Sequence, residues 1–131
     1  MNQKELEAIF TEATLETIFP AERSDQFFDA LFGDPTEGAY DIQLLFRGPG
    51  PASNELTFEL HLKQRPGRCL ACNLTYGLPE VFSRHPIINL PGVANAIAQA
   101  VGKTSASWRL GATDSVSRAL HVIQLTVTLG Q

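Results

Sequence analysis

Apolar positions at the start of the chain recur with helical spacing. From Lys4 to Thr17, Leu6, Ile9, Phe10 and Ala13 fall between Glu5, Glu7, Glu12 and Glu16, predicting one amphipathic helix. Pro20 interrupts it, and a second helix is expected from Ala21 to Phe32, ended by Gly33. The pattern then changes to strict alternation. Tyr40, Ile42, Leu44 and Phe46 alternate with polar residues, as do Leu56, Phe58, Leu60 and Leu62 after the turn-rich 48–54. Leu70, Cys72, Leu74 and Tyr76 supply a third alternating set. Pairing Phe46 with Leu56 and Leu62 with Leu70 puts every apolar residue on one face, so an antiparallel meander over 40–76 is predicted.

Gly77 to Asn89, with Pro79 and Pro86, reads as a long loop. A third helix is expected from Pro91 to Val101, with Val93, Ile97 and Val101 on its apolar stripe. Ala106, Trp108 and Leu110 alternate as a fourth strand, and Gly111 to Ser117 is polar connection. The last strand, Ala119 to Leu129, carries Ile123, Leu125, Val127 and Leu129 on one face, with Leu120 and Val122 on the other. The fold class is therefore α+β: an antiparallel sheet of about five strands with helices packed on one face, in the order α-α-β-β-β-α-β-β. Its 131 residues fit a single domain, 1–131.

That order of elements resembles the small α+β fold of type III secretion chaperones. The resemblance implies an acidic cytoplasmic homodimer that binds extended segments of other proteins.

Charge sharpens the picture because it is unevenly placed. Residues 1–41 hold ten acids against two bases, and residues 42–131 hold four against eight. The acidic, helical part repels nucleic acid, and no basic stripe with interleaved aromatics occurs, so nucleic-acid binding is not expected. Two cysteines suit a reducing compartment, and the polar start after Met1 does not read as a signal peptide. No run of apolar residues is long enough to cross a membrane. A cytoplasmic location without membrane contact is expected.

Candidate chemistry is sparse. Cys69-Leu70-Ala71-Cys72 with His85 imitates part of a two-Cys, two-His zinc site, but the fourth ligand is missing. Residues three apart on a strand also point to opposite faces, so neither a metal nor any other cofactor is expected. Gly48-Pro49-Gly50-Pro51 lacks the N–H groups of a phosphate loop. His61, His85 and His121 have no recognisable nucleophile partner, so no catalytic residue is assigned. Arg65, Arg68, Arg84 and Arg109, with His85, are candidates for an anion or carboxylate site, since arginine makes bidentate pairs with such groups.

Two functional expectations follow. The first is a non-catalytic protein-binding module, chaperone- or adaptor-like, forming a homodimer and binding another protein. Its contact residues would be Leu120 and Val122 on the second sheet face, and Phe27 and Phe28 in an exposed aromatic patch. The alternative is a small-ligand- or anion-binding domain, with or without enzymatic activity, built from the loop Gly77–Asn89 and the nearby arginines.

Overall fold

The computed structural model describes residues 2–34, 38–67 and 77–130. Helices α1 (Gln3–Ile9), α2 (Glu12–Ile18) and α3 (Glu22–Phe32) precede a hairpin of β1 (Tyr40–Pro49) and β2 (Glu55–Gln64). Helices α4 (Leu78–Arg84) and α5 (Leu90–Ala100) lead into a second hairpin, β3 (Ala106–Ser115) and β4 (Leu120–Leu129). The two hairpins join through β2 and β4 into one antiparallel sheet, in the order β1-β2-β4-β3.

This order corrects the predicted meander. Leu62 pairs with Ile42 on one side and with His121 on the other, so β4 occupies the edge of β2 expected for residues 70–76. The third strand itself, Leu70 to Tyr76, lies outside the described residues, as do Arg68, Cys69 and Cys72. The β1–β2 faces agree with the alternation, but the register is displaced by two. Leu44 meets Leu60 and Phe46 meets Phe58, because the ladder runs on through a bulge at Arg47 and pairs Pro49 with Leu56, where Phe46 was expected.

The first predicted helix is two. Phe10 leaves helical geometry, and Thr11 restarts the chain as an N-cap, its Oγ1 accepting from the Thr14 N–H at 3.2 Å. The break changes the phase of the apolar stripe. Leu15 and Ile18 are buried where Ala13 was expected, and Phe10 turns inward to pack 5.1 Å from both Phe46 and Phe58. The segment read as a loop contains α4, for Pro79 stands in its first turn, where proline starts a helix, and Phe82 anchors it in the core. Strand β3 runs on to Ser115, past its expected end. A bulge between Leu110 and Thr113 absorbs one residue and hides the alternation.

The helix-side face of the sheet holds the core. Phe58, Leu60 and Leu62 of β2 and Ile123, Leu125 and Val127 of β4 are buried against α-helical Leu6, Phe27, Phe82 and Ile97. The other face has a mostly polar set: Gln43, Arg47, Glu59, His61, Arg109, Gln124 and Thr126. An antiparallel sheet with one packed and one wet face gives this alternation. No helix among the described residues is long and apolar enough to cross a membrane.

Candidate functional site

Among the described residues, Arg65, Arg84, Arg109 and His85 each have a separate partner, and Arg68 lies outside them. Arg65 closes onto the N-terminal helices, its Nη2 donating to Asp25 at 2.6 Å and Asp41 at 2.9 Å, with the guanidinium over the Phe28 ring. Arg84 pairs with Glu80 one helical turn away and is otherwise wet. Arg109 lies on the open face of β3 and donates to Glu55 at 3.0 Å. That hydrogen bond, with a second from the Ala52 N–H, holds the Glu55 carboxyl below its ordinary range. His85 packs edge-on to Phe27 at 4.9 Å, and its Nδ1 accepts from the Ile87 N–H. Each cation serves a separate local contact, and Gly77–Asn89 supplies a helix in place of a ligand loop. No group of three or more His, Cys, Asp or Glu among the described residues could hold a metal.

The expected interface residues are placed differently as well. Phe27 and Phe28 are 0 % and 2 % exposed, packed on Phe82 and Tyr40, so neither ring offers a surface to a partner. They are core because Ser24, Phe27 and Phe28 share the sheet-facing stripe of α3. Val122 does lie on the open face, but flanking His61 and Asp114 leave it 8 % exposed; Leu120, at the strand end, is half-buried. Among the described residues, the large hydrophobics that are exposed are Leu31, Val81 and Val116, which belong to three different segments.

On the open face, Glu59 accepts from Arg47 Nε at 2.7 Å and bonds His61 Nε2 at 2.8 Å. Partial burial pushes its carboxyl upward, but hydrogen bonds from His61 and Arg47 outweigh that and hold it below the ordinary value. A depression of about 290 Å³ lies beside it, between Arg109, the 111–112 bulge and Gln124. Of the groups lining it, Glu59 is held by Arg47 and His61, and Arg109 by Glu55.

The larger cavity is at the edge of the sheet. It measures about 330 Å³ and runs along β1 from Gln43 to Arg47, with α1 and α2 opposite. Among the described residues, β1 has β2 on one side and no strand on the other. Ser24 of α3 shows which backbone groups point outward: its Oγ accepts from the Ile42 N–H at 2.8 Å and donates to the Ile42 carbonyl at 3.4 Å. Outward-pointing groups recur at every second residue of an antiparallel strand, so those of Leu44 and Phe46 also face away from β2 and into the cavity. Gln3 closes the far end, donating to the Arg47 carbonyl beside Gly48. A side chain at Gly48 would meet Gln3 at once, and its φ of +147° is one that suits glycine.

The groove therefore has two stoppers, Ser24 and Gln3, and between them a stretch of strand with no partner among the described residues. Phe10, Leu15 and Phe19 lie buried beneath it, and Glu7, Glu12 and Glu16 stand along its helical side. Glu7 and Glu16 accept from Gln3 Nε2 and the Ala21 N–H, and no cationic side chain pairs with any of the three carboxylates among the described residues. Sequence reasoning missed this site because it depends on which strand is at the edge. One signal was present: Ser24, a polar residue on the buried stripe of α3. Comparisons with protein-family models, with curated proteins and with solved structures returned no match.

Proposed function

We propose that this chain is a non-catalytic protein-binding module, adaptor- or chaperone-like, whose binding surface is the groove along β1. One observation carries the reading: a strand edge whose outward Leu44 and Phe46 amides and carbonyls have no partner among the described residues, opening onto a cavity. An extended segment of another protein supplies what such an edge lacks, since main-chain hydrogen bonds give affinity and side-chain pockets give selectivity. Left open, the same edge is a liability in any sheet protein, which favours a use for it. The arginines and His85, each in a separate local contact, give the ligand-binding alternative no comparable support.

Selection of random peptides on the immobilised protein, followed by amide hydrogen exchange with the selected sequences, tests the reading. Selected peptides are expected to slow exchange at Leu44 and Phe46 and to lose binding when N-methylated along one edge. Peptides that protect amides elsewhere, on the open face or on α4, would sink it.

A further inference from the structure

The groove also carries information about the chemistry of its occupant. We infer that the segment received at the β1 edge is basic: an extended stretch whose lysine or arginine side chains meet Glu7, Glu12 and Glu16. This rests on the protein-binding reading above and goes one step further, from the existence of a docked strand to its composition.

Charge complementarity is the reason. A strand added beside β1 continues the pleat, so alternate side chains project toward the helices. There they meet the three exposed carboxylates on α1 and α2, with Phe10, Leu15 and Phe19 buried beneath. Among the described residues, the carboxylates are hydrogen-bonded only by neutral donors, Gln3 Nε2 on Glu7 and the Ala21 N–H on Glu16. The cation bordering the groove, Arg47, is held by Glu59 on the open face at 2.7 Å. An acidic segment would thus be repelled and a basic one drawn in. The stoppers Ser24 and Gln3 limit the paired stretch to the neighbourhood of Leu44–Phe46, which suits a strand of about five residues.

Three capped nonapeptides test this, with valine alternating with lysine, with serine or with glutamate. Binding is read by fluorescence anisotropy and by amide exchange at Leu44 and Phe46. The lysine peptide is expected to bind about tenfold more tightly than the serine peptide in low salt, since exposed charge pairs contribute modestly. The advantage should shrink as salt is added, and the glutamate peptide should bind weakest. The triple variant Glu7→Gln, Glu12→Gln, Glu16→Gln keeps the acceptors for Gln3 and Ala21 while removing the charge. It should equalise the lysine and serine peptides, with circular dichroism and the melting curve verifying that it is folded.

Equal binding of the lysine and serine peptides to the wild-type chain, with both protecting Leu44 and Phe46, would overturn the basic partner and leave the docking groove standing. Lysine-peptide binding without that protection would overturn strand addition. No protection by any of the three peptides would remove both readings. Protection of the same amides without peptide, at twice the monomer mass, would make a second copy the occupant and overturn the basic segment.

Discussion

Tyr40 opens β1 with its ring packed 4.8 Å from Phe28, almost wholly inside the protein. Burial pushes its phenol well above the ordinary tyrosine value, because the phenolate would be stranded away from water. The folded state therefore keeps the proton at a pH where the unfolded chain has released it. A raised pKa contributes stability that is complete below the unfolded value, about 10, and declines as pH rises beyond it. Urea unfolding at pH 8 and pH 11, for wild type and Tyr40→Phe, checks this. Wild type should lose more stability than the variant between the two conditions. Equal losses would mean that the phenol ionises freely within the fold. Ser24, equally buried, has its polar group satisfied: one hydroxyl serves both outward groups of Ile42 and so terminates the free edge.

Among the elements, α1 and α2 show what the hydrophobic pattern can and cannot carry. The spacing of Leu6, Ile9 and Phe10 fits a helix through residue 17, and nothing in that periodicity announces a break. Thr11 makes the break, by offering its hydroxyl to Thr14 and releasing Phe10 into the sheet. The expected price of Thr11→Ala is about 0.5–2 kcal/mol, the usual range for a lost N-cap. Chemical denaturation measures it, and an unchanged or increased stability would mean that one continuous helix serves equally well. The strands were legible by face, because alternation in Leu56–Leu62 and Ile123–Leu129 fixes which residues are buried. They were not legible by neighbour. Alternation is the same whether β2 pairs with residues 70–76 or with β4, and bulges after Phe46 and Leu110 break the count that register depends on. The groove was invisible for the same cause: Glu7, Glu12 and Glu16 read as a solvated helix face until β1 is known to be an edge.

At the scale of the whole molecule, the β2–β4 pair joins two hairpins that are far apart in sequence. Leu60 pairs with Ile123 at the centre of this seam, and both side chains are fully buried in the shared core. Helices from both halves pack on that face: α1, α2 and α3 against β1, and α4 and α5 against β3. A seam of this kind makes the halves interdependent, since either hairpin alone would expose an apolar face and an unpaired central strand. Truncation at Leu60 should therefore be felt on both sides of it. Leu60→Ala is expected to cost about 2–5 kcal/mol, from lost burial and the cavity left behind. Native-state hydrogen exchange gives the distribution of that loss. Amides of β2 and β4 should be the slowest in the wild type, with the β1 and β3 edges faster. In Leu60→Ala the slowest amides of β2, β4 and α5 should all lose protection by the same amount, as one cooperative unit. A loss confined to β1, β2 and the N-terminal helices would show instead that the β3–β4 hairpin with α4 and α5 holds together by itself.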